Sequence, residues 1–410
     1  MLTEMQHLVG AAHSVVARMQ EWRQWMHQHP GVRFSQEETT TLEYITHGVT
    51  HDIFPKLQFG GTQIVEGDGG IWIDYTVDPK LPRRLLRADV DALPIQEATG
   101  LSFASEHAGV MHACGHDVHS AMLMAAMLAM AECGVTPSRN LRFVFQRAEE
   151  NPVTPSGGYK LVFEGGVCDG IESAHGLHIW TSEEGTPGVF QARPGGAMAN
   201  SDRFRVRVRC SGGHVMSPHR GSNAIDIGVH LCNALNGFAL RTLGGTEPSS
   251  LVPAVFKAGT GSNIRPSDVD MWFANRNVLP MDERMAFAKQ LEAFVRAIVA
   301  LYPDAKVEAI ENDKVVDGWE YVYGHPALIN TPESVAGVKA LLESAGQETK
   351  TQGLELGGED FAWYLQKVPG SFFMLGAKRP ESGDHHTPTF NPDPEQFWRG
   401  VLYWLLLMTS

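Results

Sequence analysis

The spacing of apolar positions changes along this chain, and each change predicts a different element. From Leu8 through Ala12, Val15, Met19, Trp22 and Met26 the apolar residues recur at helical spacing, interrupted by charge. Leu85-Leu86-Arg87-Ala88 reads as a buried strand, His119 to Cys133 as a helix closed by Gly134 and Pro137, and Leu141 to Gln146 as a strand with Phe143 and Phe145 on one face. Strands alternating with helices predict an α/β sheet covered by helices on its faces. Ligand sites in such sheets gather beyond the carboxyl ends of the strands, and Asp89, Asp91, Glu149 and Glu150 all fall just past such ends.

A second pattern starts near Ser201. Phe204-Arg205-Val206-Arg207-Val208-Arg209-Cys210 alternates apolar with Arg, as a strand with one buried face does. A helix from Asn223 to Leu240 follows, then strands at Leu251 to Lys257 and Val269 to Asn275. A further helix carries Phe287, Leu291, Phe294, Val295, Ile298 and Tyr302 on one stripe, and a last strand spans Lys306 to Glu311. The order β-α-β-β-α-β is that of a ferredoxin-like module. Beyond Asp317 the first pattern returns, with a helix over Thr331 to Gly346, a strand at Phe372 to Leu375, and Asp384-His385-His386 on the loop after it. The expected organisation is an α/β domain formed by residues 1–196 and 317–410, interrupted by an inserted α+β module at 197–316.

Length and charge narrow the class. With 410 residues the chain is long enough for two cores. A formal charge of -14 argues against a nucleic-acid or anionic-membrane partner. The longest apolar run, Ala121 to Ala131, is too short to span a bilayer. Five cysteines, odd in number and unpatterned, argue for a reducing compartment, and the charged N-terminal helix is unlike a signal peptide, so a cytoplasmic protein is expected.

Chemistry concentrates in Met111-His112-Ala113-Cys114-Gly115-His116-Asp117-Val118-His119, where a thiol, three imidazoles and a carboxylate crowd into nine residues. Cys114 and His116, two residues apart, can face one ion. Glu149-Glu150 offers one carboxylate for a metal and one for general-base work. His175 or His178, and His385 or His386, add imidazoles from other loops; the whole set can surround two divalent ions through N, O and S donors. In the module, Gly212-Gly213-His214 suggests a tight turn presenting the ring, and Asn263 and Arg276 could hold a carboxylate or carbonyl. There is no His-Glu-x-x-His, no Gly-x-Ser-x-Gly, no Walker loop and no Gly-x-Gly-x-x-Gly after a strand, which weighs against a zincin, a serine hydrolase, an ATPase and a dinucleotide enzyme.

Taken in order, these motifs resemble the dinuclear metallohydrolases related to aminoacylase and the glutamate-type carboxypeptidases. Within that family the similarity is to the branch of hippurate hydrolases, auxin-conjugate hydrolases and N-acetyl-diaminopimelate deacetylases. The likeness is carried by the Arg23-to-Thr40 opening, Arg87-Ala88-Asp89-Val90-Asp91-Ala92-Leu93-Pro94-Ile95, Met111 to His119, Phe145 to Glu150, Gly176-Leu177-His178, Gly213-His214, Gly358-Glu359-Asp360-Phe361 and His386-Thr387-Pro388-Thr389-Phe390. It implies a zinc-peptidase-like mixed sheet sandwiched by helices, with the ferredoxin-like module as a lid and dimerisation domain. It further implies two divalent ions per subunit, zinc or manganese first, with cobalt or nickel as other choices, held by Cys114, His116, Glu150, His178 and His386. Glu149 falls on the position of the general base, and His214 on that of the histidine that polarises the scissile carbonyl. Asn263 and Arg276 match substrate-holding positions, while Asp89 and Asp117 would support the ligands from behind. The implied reaction is hydrolysis of N-acyl amino acids, or similar small amides bearing a carboxylate, by a homodimer or higher homo-oligomer. A carboxypeptidase acting on dipeptides is the alternative, and a non-catalytic metal-containing binding protein the remote one. The chain departs from the family at Arg147, where Pro is usual, in the 151–155 segment, and at Arg265 and Asn275.

Overall fold

The apolar runs near residues 85 and 141 are neighbouring parallel strands, Arg83–Asp89 and Asn140–Gln146, at the middle of a mixed sheet. The computed structural model describes residues 2–57, 60–151, 154–182, 185–243 and 248–410. Within these the sheet has eight strands in the spatial order 61–67, 70–76, 140–146, 83–89, 171–180, 370–376, 190–192 and 349–351. The two hairpin strands at one edge run antiparallel, and Arg83–Asp89 is parallel to both of its neighbours. Parallel strands need both faces covered. Every residue of Asn140–Gln146 is buried accordingly.

The helix that follows the opening motif begins at His116, three residues before the spacing of apolar residues places it, and runs to Glu132. The early start is set by Gly115, which at φ 92° turns the chain through the left-handed region into the helix. A Cβ there would come within 2.3 Å of the Ile179 side chain, so the residue serves a close approach as well as a turn. Nearly all of this helix is buried, as expected for one apolar on every side. It packs against the helices Val16–Gln28 and Phe397–Thr409. The N-terminal stripe is core as its spacing predicts: Leu8, Ala12, Val15, Met19, Trp22 and Met26 are all buried, on two helices, Leu2–Ser14 and Val16–Gln28, that break at Val15.

The chain separates into two compact units, one comprising 1–195, 330–353 and 360–410, the other 196–329 with 354–359. In the second unit an antiparallel sheet has the order Ser250–Ala258, Asp268–Arg276, Asp202–Arg209, Trp319–Val322. Strict burial alternation along Asp202–Arg209 puts Phe204, Val206 and Val208 under two helices, Ala224–Thr242 and Met281–Val299. Each such fully buried side chain contributes roughly 1.5–3 kcal/mol.

The last strand of this module differs from expectation. Lys306 bridges Arg209, but the chain then leaves the edge as a hairpin of Glu308–Glu311 with Lys314–Asp317, and Trp319–Val322 resumes pairing from Val206 to Arg203. The turn residues Asn312 and Asp313 both have positive φ, 49° and 61°, the requirement of a type I′ turn. An Asn-Asp pair between two apolar stretches was the signal for this detour. No helix among the described residues is long and apolar enough to cross a membrane.

Candidate metal centre

Three loops beyond the carboxyl ends of central strands, the end of a fourth strand and the start of the buried helix supply the donors. Asp89 ends the strand Arg83–Asp89, Asp91 lies two residues on, Glu149 and Glu150 follow Asn140–Gln146, and His178 lies near the end of Ile171–Trp180. Cys114 and His116 flank the Gly115 turn, and His386 is on the loop after Gly370–Gly376. Two of the loops pass through the left-handed region at non-glycine residues, Ala148 (φ 50°) and His386 (φ 60°). That conformation costs on the order of 1–3 kcal/mol and needs anchoring. Glu38 anchors the first: its Oε1 accepts from the Ala148 N–H at 2.7 Å and its Oε2 from Arg147 Nε at 2.8 Å. The second is anchored by the His386 N–H, which donates to the Ala113 carbonyl at 2.8 Å.

The donor atoms converge in overlapping sets. Cys114, His116 and His178 form one, Cys114, Glu150 and His386 a second, and His116, Glu149 and Glu150 a third, each with its ligand atoms within 4.8 Å of one another. Cys114 Sγ lies 3.3 Å from His178 Nε2, and His386 Nε2 lies 3.0 Å from Glu150 Oε1. Cys114 belongs to both of the first two sets, one completed by His116 and His178 and the other by Glu150 and His386.

Hydrogen bonds behind the donors decide which lone pairs are available. His116 Nδ1 meets Asp91 Oδ1 at 3.0 Å, leaving a buried Nε2 with no hydrogen-bond partner. His178 Nδ1 donates to the Ile179 carbonyl at 2.5 Å, so its Nε2 carries the free lone pair. His119 is different: Nδ1 faces Asp89 at 2.6 Å and Nε2 accepts the Ile179 N–H at 2.9 Å, which uses both nitrogens. His385 Nε2 likewise accepts the Thr181 N–H at 3.0 Å. That removes the lone pair His385 would need, whereas His386 keeps its Nε2 beside Glu150. His175 is buried between Ser173 and Ser371.

The electrostatics call for a cation. Burial, followed by Glu150, Glu149 and Asp89, pushes the Cys114 thiol well above its ordinary value. Burial alone would lower His116, but Asp89, Asp91 and Glu150 overcome it and raise the imidazole to about 10. Asp89, despite its burial, is held well below the usual carboxylate range by His116, His119 and Arg87. A buried thiol ringed by carboxylates is costly in any charged form unless positive charge is supplied. Soft and hard donors with an unpartnered imidazole nitrogen fit divalent transition ions.

The remaining expected residues are distributed as follows. Asp117 accepts from Arg23 at 3.2 Å and faces His27 Nδ1 at 3.0 Å, so it braces the helix Val16–Gln28 against the motif and not a donor imidazole. The brace on His116 is Asp91, whose other oxygen accepts the Glu150 N–H at 2.9 Å. His214 and Asn263 belong to the second unit and are brought together where the short strands Gly213–His214 and Ile264–Arg265 pair antiparallel, with the Val215 N–H donating to the Asn263 carbonyl at 3.3 Å. Arg276, in the same unit, ends its strand and donates to the Asn200 carbonyl at 3.2 Å. Arg147 is committed to Glu38 and the Ser35 carbonyl. Of the 151–155 segment, Pro152 and Val153 lie outside the described residues; Asn151 donates to the Pro155 carbonyl at 3.1 Å. Besides Asp91, two further supports were not expected, Glu38 and Asp360. Asp360 accepts from Arg87 at 2.9 Å and Gln146 at 2.7 Å, and its N–H reaches Glu149 Oε1 at 3.4 Å.

Residues 85–410 match the model of peptidase family M20/M25/M40. The chain belongs to that family. It is an amide-bond hydrolase with the family's mixed α/β fold. Among its relatives, it is 32% identical to thermostable carboxypeptidase 1 of Saccharolobus solfataricus, with 98% of each chain covered. It is 35% identical over 317 residues to the N-acyl-L-amino acid amidohydrolase of Geobacillus stearothermophilus, covering 76% of this chain and 78% of that one. In fold it resembles the crystal structure of Bacillus subtilis YXEP, described as a dinuclear metal-binding peptidase of the M20 family. That likeness has a TM-score of 0.78 at 24% identity and covers 97% of this chain and 98% of the other.

Proposed function

We propose that this enzyme hydrolyses N-acyl amino acids, or closely related small amides bearing a carboxylate, at a centre of two divalent ions. The observation that carries the proposal is the pair of donor sets sharing Cys114, with Glu149 beside both Glu150 and His116. Cys114, His116, Glu150, His178 and His386 would hold the ions, zinc or manganese before cobalt or nickel. When bound, the ions supply Lewis-acid chemistry, lowering the pKa of water and polarising a carbonyl.

The chain's own residues do the rest. Glu149 takes a proton from the attacking water; its oxygen adds to the carbonyl carbon, the C–N bond breaks, and Glu149 passes the proton to the departing nitrogen. The Asp360 N–H donates to Glu149 Oε1 at 3.4 Å and orients the carboxylate. His214 polarises the carbonyl as negative charge grows on its oxygen. Asn263 and Arg276 hold the substrate's polar end. Asp91 and Asp89 fix the imidazoles. A homodimer formed through the second unit and a cytoplasmic location complete the proposal; all five cysteines are free, as a reducing compartment requires.

The test is turnover of a panel of N-acyl amino acids by protein reconstituted separately with zinc, manganese, cobalt and nickel. No hydrolysis of any acylated substrate, with dipeptides cleaved, would establish the second reading, a carboxypeptidase. That reading is favoured by the likeness to thermostable carboxypeptidase 1 over 98% of the chain.

A further inference from the structure

We propose that Arg265, aided by Asp304, is the positioning residue that locks the 211–222 loop so that His214 presents its Nε2–H outward as a donor. This rests on the assignment of His214 as the carbonyl-polarising group. Arg265 is almost completely buried, with 8% exposure.

Its guanidinium is spent on backbone carbonyls from both limbs of the loop. Nη2 donates to Gly212 O at 3.0 Å and Arg220 O at 2.7 Å, Nη1 to Gly221 O at 2.6 Å, and Nε to His214 O at 3.4 Å. A planar fork can join the two limbs in this way; an ammonium on a flexible stem cannot reproduce the set. Gly213 leaves room for the fork, and Gly221 for the close approach of Ser211. Gly213, at φ 130°, would place a Cβ 2.9 Å from Nη2, and Gly221, at φ 85°, would place one 1.8 Å from Ser211 Oγ. At the base of the loop Asp304 accepts the N–H groups of Ser211 (3.2 Å) and Ser222 (2.9 Å) together with both hydroxyls. The Ser211 hydroxyl, then that of Ser222, hold the Asp304 carboxyl well below its usual range.

Inside this frame the Met216 N–H donates to His214 Nδ1 at 3.1 Å. A backbone N–H can only donate, so Nδ1 is an acceptor, and the neutral ring carries its proton on Nε2. The exposed ring thereby offers the N–H that polarising a carbonyl requires. Without the fork the two limbs can separate, and the ring loses the bond that sets its tautomer.

The experiment compares Arg265→Gln, Arg265→Lys, Asp304→Asn and His214→Asn in the metal-reconstituted full chain, with metal content and melting temperature as controls for folding. Both Arg265 variants are expected to lose about 10- to 100-fold in kcat, since misplacement of a group by about 1 Å has effects of that size, with KM and metal content near wild type. Asp304→Asn should move kcat in the same direction by less. In protein labelled with 15N-histidine, His214 Nδ1 should show an unprotonated, pyridine-type shift in the wild type and a mixture of tautomers in Arg265→Gln. Wild-type kcat in Arg265→Gln alongside a crippled His214→Asn would overturn the inference while leaving the role of His214 intact. Full kcat in His214→Asn would remove that role and this inference with it. A protonated Nδ1 in the wild type would overturn the inference on its own.

Discussion

Replacing Asp91 by Ala should weaken metal binding. Its carboxylate is 1% exposed and braces two proposed ligands at once, with Oδ1 3.0 Å from His116 Nδ1 and Oδ2 accepting the Glu150 N–H at 2.9 Å. Losing such a partner typically costs 10–100-fold in affinity, or ~1.4–2.7 kcal/mol. Ala also strands the Glu150 N–H, at about 1–3 kcal/mol for a buried donor, whereas Asn keeps one acceptor and should fall at the lower end of the affinity range. Affinity would be read by competition with a chromophoric chelator at fixed pH. Melting with and without metal would check it, because the metal-induced stabilisation shrinks by the same ~1.4–2.7 kcal/mol at fixed saturating metal. Asp117→Ala is the control: its partners are Arg23 and His27, so its chelator curve should overlay the wild type. If Asp91→Ala also overlays the wild type, Asp91 does not position the ligands.

Glu149→Gln should retain both ions and lose about 10²–10⁴-fold in kcat; wild-type turnover at full metal content would exclude it as the base. His386→Ala should reduce bound metal to about one ion per chain while His385→Ala leaves the stoichiometry unchanged, because His385 Nε2 is already occupied by the Thr181 N–H; elemental analysis showing the reverse would exchange their roles. His175, far from the metals in chemistry, gives a pH signature. Burial, with Arg84 and Arg139, pushes it down to about 3, so the native state refuses a proton that the unfolded chain accepts below about 6.5. Its contribution is complete above that pH and lost as the pH falls, by ~1.4 kcal/mol per unit, or about 2 kcal/mol at pH 5. Denaturant unfolding of His175→Gln should show a pH dependence flatter by that amount, and parallel curves would show that His175 is not held neutral.

Much of the fold was legible because each unit buries one face of regular elements. The alternation from Phe204 to Cys210 and the N-terminal stripe follow directly from that demand, and both are core in the structure. The helix after the opening motif was misplaced by three residues because Gly115 starts it, and apolar spacing carries no information about a left-handed glycine turn. The hairpin at Asn312-Asp313 was hidden for a related reason: its strands are short and largely exposed, so they show no periodicity, and the turn residues alone mark it. At the site, the donor types stand out in the sequence because chemistry limits them to a few residues. Their supports do not. Glu38 lies over one hundred positions from the Ala148 turn it anchors, and Asp360 is as remote from Glu149. Asp117 looked like a support because it adjoins His116, yet on a helix consecutive side chains diverge by about 100°. Asp91 is more distant in sequence and is the residue that meets the ring.

The supports also explain why so much charge is buried here. Arg87 donates to Asp89 at 2.7 Å, to Asp360 at 2.9 Å and to Gln146 at 3.0 Å, with Tyr364 closing on Gln146 at 2.9 Å. Asp89 holds His119, and Asp360 reaches Glu149 through its backbone. Buried ion pairs of this kind are poor sources of stability, because desolvation consumes most of the Coulomb gain, but breaking one costs about 3–5 kcal/mol. A lattice that is cheap to replace and expensive to break is suited to fixing geometry. It ties the strand end bearing Asp89, and through His119 the Ile179 N–H beside His178, to the same frame as Glu149. Glu149 and the strand ends bearing Asp89 and His178 thereby share one hydrogen-bonded frame in the first unit, while the His214 loop has a separate brace, Arg265, in the second. Damage to Arg87 should therefore register in metal binding and turnover together, and damage to Arg265 in turnover alone.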